Sequence, residues 1–184
     1  MELKISEQTD NKIKFNIKGM NPQFANAFRR TIISGIPVLA IEKVKFYENS
    51  SVMNDEILSH RMGLIPLKTD LASPKTVSLS LEAKGPKTVH SRELKPNIAA
   101  YDTIPIIKLA ENQEIKLEAE AVLGTGRDHI KWQPGLASYS KNDDGSYDFF
   151  VESYGQMSPK DLILTAIKVL NSQLDEFKTK LQEK

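Results

Sequence analysis

The chain of 184 residues contains no cysteine. This absence excludes disulfides, thiolate zinc sites, iron–sulfur clusters and thiol nucleophiles from the chemistry of the chain. The sequence also has no run of about 18 apolar residues, so we expect no membrane-spanning helix. The N-terminus lacks the apolar stretch of a signal peptide, and we expect the protein to be cytoplasmic.

The chain has almost no excess of either charge. Lys and Arg number 25, Asp and Glu number 24, and the formal net charge is +1. Such a balance gives no general attraction to phosphate backbones, so direct sequence-specific binding to nucleic acid is not expected. Hydrophobic residues make up 40% and charged residues 27%, which is enough apolar material for one ordinary domain or two small ones.

No catalytic or cofactor-binding motif is found. The three histidines, His60, His90 and His129, have no metal-ligand spacing, so no metal site is predicted. The glycine-rich segment 124–127 lacks the ending of a phosphate-binding loop and is interpreted as a turn after a strand. Asp143 and Asp144 stand between Asn142 and Gly145, a pattern typical of a tight turn rather than of paired catalytic carboxylates. We therefore expect no cofactor.

The N-terminal third predicts a hairpin, a helix and a strand. Apolar residues alternate over 3–5 and 13–17, as in two strands with one covered face. Asn21 and Pro22 are suited to start a helix, and Gly35 with Pro37 to end it, with Gly35 in the left-handed conformation. A strand is predicted over 38–47. Residues 48–146 hold six of the nine prolines and short alternating strands over 77–83 and 115–123, with one short helix near 54–61, so this part is predicted to be β-rich.

The clearest predicted element is a C-terminal helix that begins at Ser158 and Pro159. Its apolar residues are spaced alternately four and three apart, which is a heptad seam. They are Ile163, Ile167, Leu170, Leu174, Phe177 and Leu181. The seam packs either on the chain's own sheet or on a helix of another chain, and its length and regularity favour the second arrangement.

Two segments, 59–66 and 126–134, mix cationic and large apolar residues beside glycine and proline. This composition is typical of interaction loops, although a solvated loop with a half-buried tryptophan fits equally well. If the second segment is an interaction loop, Trp132, the single tryptophan of the chain, would be the anchor for the partner.

Four segments in order along the chain resemble the alpha-like subunits of RNA polymerase, and in particular their archaeal D-type group. Residues 28–37 (FRRTIISGIP) resemble the first-helix signature of these subunits. Residues 39–67, which end in HRMGLIPL, look like the pattern shared with the eukaryotic third-largest subunit. Residues 129–134 (HIKWQP) are similar to the H-x-K-W-x-P loop, and 150–155 (FVESYG) to the closing segment before the last helix.

The resemblance implies an α+β fold with two domains. An alpha-like dimerisation domain, an antiparallel sheet with two helices, would be built from residues 1–47 and 147–184. A β-rich domain, 48–146, would be inserted between them. Many relatives carry a cysteine-rich ferredoxin-like insertion or a zinc-binding loop; without cysteine, no iron–sulfur cluster is expected here.

By the same resemblance the chain would be a non-catalytic assembly platform of a DNA-directed RNA polymerase. It would pair with subunit L and recruit subunits N and P and the second-largest catalytic subunit. The implied dimer interface combines the seam with residues of the first helix, namely Phe24, Phe28 and Ile32. The implied contacts to other subunits are Arg29, Arg30, His60, Arg61, Arg127, His129, Lys131 and Trp132. The alternative is a free-standing regulatory binding protein that uses the same dimerisation fold, and an enzyme comes third.

Overall fold

A computed structural model of the chain describes residues 1–70, 72 and 74–183. The elements in chain order are β1 (Glu2–Gln8), β2 (Lys12–Lys18), α1 (Pro22–Ser34), β3 (Val38–Asn49), α2 (Asp55–Gly63), β4 (Thr76–Lys84), β5 (Lys87–His90), β6 (Pro105–Leu109), β7 (Glu114–Gly124), β8 (Gly135–Lys141), β9 (Tyr147–Ser153) and α3 (Pro159–Gln182). Short 3₁₀ turns lie at Ser91–Glu93 and Ile130–Trp132. Within these described ranges, no helix is both long and apolar enough to span a membrane. The α+β class predicted from the sequence is confirmed.

The chain divides into two compact units. Unit 1 consists of residues 1–36 and 125–184, and unit 2 of residues 37–124. These divisions differ from the expected ones after residues 47 and 146, for a reason found in the strand pairing. β3 pairs along its length with β7 and so belongs to unit 2, whereas β8 pairs residue by residue with β9 and so belongs to unit 1. The composition shift at residue 48 therefore does not mark the division between the units.

Unit 1 is built on an antiparallel sheet with the strand order β1-β2-β9-β8. Its core face carries stacked aromatic rings: Phe15 on β2 lies 5.3 Å from Phe149 on β9 between ring centroids. Phe28 of α1 meets the ring of Phe149 edge-on at 5.7 Å, so α1 lies on this face. Leu162, Thr165 and Ala166 are the buried face of the N-terminal half of α3, which contacts β9 and β2.

The sequence predicts where α1 begins and ends, but not the conformation of Gly35 at its C-terminal end. The side chain of Asn21 accepts a hydrogen bond from the backbone N–H of Phe24 at 2.7 Å, which satisfies one of the free donors of the first turn. The helix ends at Ser34, as predicted. Gly35, however, has φ −102° and remains right-handed, and its N–H donates to the carbonyl of Thr31. The expected left-handed end is therefore wrong; glycine is suited here because a Cβ would lie 3.1 Å from the Thr31 carbonyl oxygen.

A polar cluster fixes the turn before β9. The amide of Asn16 donates to Ser146 Oγ at 3.0 Å and to Asp148 Oδ1 at 2.7 Å, and the amide of Asn142 donates to Asp148 Oδ2 at 2.9 Å. These hydrogen bonds, first from Asn16 and then from Asn142, lower the pKa of Asp148 because they stabilise its ionised form. Gly145 at the tip has φ +78°, which is the tight turn predicted for this segment.

Unit 2 packs α2 and the β5-β6 pair with a sheet in the order β3-β7-β4. Alternation along β4, and along β7 as far as Ala121, places their buried apolar residues on one face. That face joins the buried side of α2, Leu58 and Met62, in one hydrophobic cluster. The predicted strands over 77–83 and 115–123 and the short helix are confirmed, whereas β5, β6 and β8 were not predicted.

Candidate interaction surfaces

The predicted seam of α3 has two halves with different surroundings. In the first half, Ile163 and Leu170 are half-buried and Ile167 is exposed at the margin of the sheet. The side chain of Ser158 accepts from the N–H of Asp161 at 3.1 Å and caps the helix. This half of the seam therefore packs partly on unit 1.

The second half of α3, residues 171–183, is exposed at every position, and we call it the overhang. Its apolar residues Leu174, Phe177 and Leu181 are 64%, 64% and 61% exposed. Their spacing places them on one side of the helix, in line with the seam. The other sides of the overhang carry exposed charged residues. Among them, the hydrogen bond from Lys180 and then its charge lower the pKa of Glu176. An isolated helix of this length is marginal in water, so the uncovered apolar stripe on it is a candidate surface for contact with another chain.

The three α1 residues expected in the dimer interface are not equivalent. Phe28 and Ile32 are buried in the chain itself, and only Phe24 is exposed at the surface. The rings of Phe24 and Phe28 stack with centroids 6.2 Å apart, so Phe28 supports Phe24 from beneath. The spacing of four places all three side chains on the same face of α1, but only Phe24 lies where that face leaves the core. Phe24 can therefore contact a partner directly, whereas Phe28 and Ile32 cannot.

The 125–134 loop is held by internal hydrogen bonds and lies against the end of α1. Thr125 Oγ1 donates to Asp128 Oδ2 at 3.0 Å, and the N–H of Asp128 donates to the carbonyl of Thr125 at 2.9 Å. A Cβ on Gly126 would lie 2.9 Å from the carbonyl oxygen of Ile33, so glycine allows this loop to touch the end of α1.

Trp132 does not have the position expected of an anchor. Its side chain lies in unit 1 and is only 8% exposed, while the neighbouring Ile130 is 66% exposed. Lys131 Nζ lies 4.4 Å from the centroid of the Trp132 ring, and His129 Nδ1 accepts from the N–H of Lys131 at 3.1 Å. The 3₁₀ turn thus holds the indole inward and presents Ile130 outward, beside the exposed side chains of Arg127 and His129.

The two basic residues of α2 also have different roles. Arg61 Nε donates to the carbonyl of Ile106 at 3.0 Å, and its terminal nitrogen donates to the carbonyl of Pro105 at 2.8 Å. Its guanidinium therefore joins α2 to β6 inside unit 2. His60 is exposed one residue earlier. On α1, the half-buried Arg29 donates to Asn26 Oδ1 at 3.0 Å, and Arg30 is exposed.

Comparison with known proteins identifies the family of the chain. Residues 14–174 match the family model of the RNA polymerase Rpb3/Rpb11 dimerisation domain. The chain is 44% identical over 162 residues to the DNA-directed RNA polymerase subunit Rpo3 of Methanocaldococcus jannaschii, in an alignment that covers 86% of this chain and 85% of the relative. This chain belongs to the Rpo3 family of RNA polymerase subunits. The family predicted from the four motifs is confirmed.

Other members of the Rpo3 family differ in length. The subunit Rpo3 of Halobacterium salinarum is 33% identical, and the alignment covers 98% of this chain and 97% of the relative. The subunit Rpo3 of Pyrococcus furiosus is 45% identical over 152 residues, and the alignment covers 76% of this chain but only 58% of the relative. The chain thus spans less than two thirds of that second relative. Among the described residues here, no group of three or more His, Asp or Glu side chains could hold a metal ion.

Leu3, Ile5 and Ile130 are among the exposed apolar residues of this Rpo3-family chain that were not predicted from the sequence. Leu3 and Ile5 were interpreted as part of a covered strand face. In the segment that contains Ile130, the prediction singled out the nearby Trp132 instead. A local sequence pattern does not show which apolar residues are covered by other parts of the same chain, and for that reason these exposures could not be predicted.

Proposed function

We propose that this chain is the non-catalytic assembly platform of an archaeal RNA polymerase, and that it pairs with subunit L through α3. The observation that carries the proposal is the overhang. Three large apolar side chains in heptad spacing are largely uncovered in the described chain, although covering what remains exposed of each would contribute about 1–2 kcal/mol. Because the matched family model names a dimerisation domain, a helix of the partner is the natural cover. Phe24 extends this interface onto α1.

We further propose that the pair recruits subunits N and P and the second-largest catalytic subunit through other surfaces. The 125–134 loop offers an exposed apolar side chain, Ile130, on a hydrogen-bonded turn, and the same loop carries the exposed Arg127. Rigid apolar anchors with a charged rim are typical of protein interfaces. His60 and Arg30 are exposed and add to the candidate contacts, whereas Arg61 and Trp132 act by holding the local structure in place.

Reconstitution from separate subunits tests both parts. Leu174→Asp should prevent pairing with subunit L, because a carboxylate in an apolar interface loses its hydration without gaining a partner. Ile130→Asp combined with Arg127→Ala should leave that pair intact and weaken incorporation into the larger assembly. Native electrophoresis and size exclusion separate the pair from the polymerase.

Two outcomes would contradict the proposal. If Leu174→Asp paired normally while the loop variant did not pair, the two surfaces would be assigned to the wrong partners. If the unmodified chain paired with subunit L but never eluted with the large subunits, a free-standing regulator on the same fold would replace the platform. Thr179→Asp, which adds the same charge on the side of the overhang opposite to its apolar residues, is the matched control and should pair normally.

A further inference from the structure

The chain contains a single position at which Asp or Asn precedes Gly, namely Asp144–Gly145. Such a pair undergoes a spontaneous reaction of the main chain. The glycine amide nitrogen attacks the carboxyl carbon of the aspartate side chain, a C–N bond forms, and water leaves with a carboxyl oxygen. Water then opens the resulting succinimide at either carbonyl and gives aspartate or isoaspartate, which has an extra methylene in the main chain. Glycine favours the attack because it has no Cβ to hinder the approach.

The turn between β8 and β9 exposes this pair to solvent but holds both reacting groups. Asp144 and Gly145 are exposed at its tip. The N–H of Gly145 donates to the carbonyl of Asn142 at 3.0 Å. Asp144 Oδ1 accepts from the N–H of Ser146 at 3.0 Å and from its hydroxyl at 2.7 Å. The amide nitrogen has to turn toward the carboxyl carbon to react, so these hydrogen bonds have to break first.

The hydroxyl of Ser146 is the buried centre of this arrangement. Ser146 is only 3% exposed. Its oxygen accepts from the side-chain amides of Asn16 and Asn142, each at 3.0 Å. A hydroxyl has a single hydrogen, and here that hydrogen is directed at Asp144 Oδ1. The carboxylate at the exposed tip is therefore held by a buried group whose own orientation is fixed on two sides.

The arrangement depends on the folded sheet and not on the turn sequence alone. Asn16 lies on β2, 130 positions from Ser146 in the sequence, and also donates to Asp148 Oδ1 at 2.7 Å. β2 reaches the turn only because it pairs with β9. When the chain unfolds, the contact from Asn16 is lost and Asp144 is free to approach the next amide.

The charge of the carboxyl group acts in the same direction. The hydrogen bonds from Ser146, first from its hydroxyl and then from its N–H, lower the pKa of Asp144. The neutral acid loses its oxygen as water far more readily than the ionised carboxylate does. A lower pKa reduces the neutral fraction at every pH above it, so the folded turn also holds the carboxyl group in its less reactive form.

We propose that Asp144–Gly145 is a site of isoaspartate formation that the hydrogen bonds around Ser146 suppress in the folded chain. Isoaspartate at position 144 then records that the turn has been open, and it presents the kind of carboxylate that isoaspartyl methyltransferases modify. The inference concerns residues of unit 1 alone and stands independently of the proposed function.

Peptide mapping of the full chain tests the proposal. The chain is incubated in mildly acidic buffer, folded and in urea, and the peptide that contains Asp144 is followed by chromatography and mass spectrometry. Isoaspartate changes the retention but not the mass, whereas deamidation of an asparagine changes the mass. The folded chain should react at least about tenfold more slowly, because the reaction follows the population of open turns. Asp144→Glu should remove the signal in both conditions, since the larger ring closes much more slowly.

Two variants separate the fold from the local chemistry. Ser146→Ala and Asn16→Ala should each raise the rate in the folded chain by about threefold or more, while each rate in urea should stay within about twofold of the natural one. Asn16 is the stricter test, because a residue so distant in sequence has no effect on the intrinsic reactivity of the pair. Asn11→Ala removes an exposed amide outside the cluster and is the matched control. Circular dichroism verifies that each variant is folded.

Three results would overturn the proposal. Equal rates in the folded and urea samples would show that the turn gives no protection. Isoaspartate that never forms at position 144, even in urea, would remove the site itself. Unchanged folded rates in the two variants would show that the hydrogen bonds around Ser146 are not the cause, and if Ser146→Ala does not fold, the rate of Asn16→Ala decides this point alone.

Discussion

Phe177→Ala is the sharpest perturbation of the overhang, because the side chain contributes so little to the isolated chain. It is 64% exposed, and every neighbour from residue 171 to 183 is exposed as well. Alanine also has a higher helix propensity than phenylalanine. We therefore expect the free energy of unfolding of the isolated chain to change by less than about 0.5 kcal/mol.

The pair with subunit L should respond strongly. Full burial of a phenylalanine side chain is worth about 1.5–3 kcal/mol. Roughly two thirds of Phe177 remains to be buried, so the variant should lose about 1–2 kcal/mol of binding free energy. That loss corresponds to an increase in Kd of about 5- to 30-fold. Removal of Leu174 in addition should increase the loss, although contacts in one interface are seldom strictly additive.

Isothermal titration with subunit L, combined with urea unfolding of each variant alone, measures both quantities. Ser172→Ala is the matched control, since Ser172 is exposed on the opposite side of the overhang and should change neither. An unchanged Kd for Phe177→Ala would refute the interface. Equal losses in the isolated chain and in the pair would show instead that Phe177 packs on its own unit.

Three further changes test the local structure. Arg61→Met removes two hydrogen bonds from a charged donor to backbone carbonyls, so it should destabilise unit 2 by about 1.5–3 kcal/mol in urea unfolding, whereas His60→Ala should be nearly neutral. Gly126→Ala forces a Cβ against the end of α1 and should cost about 1–3 kcal/mol, more than Arg127→Ala next to it; equal effects would contradict the close approach. The lowered pKa of Asp148 stabilises the fold above its ordinary value of 3.8, and this contribution is lost as the pH falls through the lower folded value. The difference in urea midpoint between the natural chain and Asp148→Asn should therefore be present at neutral pH and should close in acid.

Much of the fold could be predicted because local signals and tertiary structure agree. Asn21 and Ser158 cap the two long helices as expected, and the alternation along β4 and β7 matches their buried faces. The unit boundaries could not be predicted. Whether β3 pairs with β7 and β8 with β9 depends on contacts between residues far apart in sequence, and proline content reports only local structure.

The candidate interaction residues were harder to separate from the core, because both are apolar and have the same helical spacing. Phe28 and Ile32 have the same helical spacing as the seam but are buried in the chain itself. Trp132 is also buried, although the composition of its loop suggested an exposed anchor. The side chains that are open to a partner, Ile130 and Leu174 among them, are ordinary aliphatic residues. A pattern identifies an apolar face, while only the arrangement of the other elements decides whether that face is covered.

The distribution of uncovered apolar side chains also bears on the order of assembly. Unit 1 exposes the overhang together with Leu3 and Ile5 of β1, and apolar surface on that scale favours association with whatever chain is available. The 125–134 loop exposes mainly one large aliphatic side chain, Ile130, with polar neighbours. The larger gain from burial is therefore at the proposed dimerisation surface, and a cover there would lower the concentration of free chain with exposed apolar surface before the proposed loop contact forms. Pairing first and recruitment second is the order that these exposures favour, because the reverse order would leave the larger apolar surface uncovered for longer.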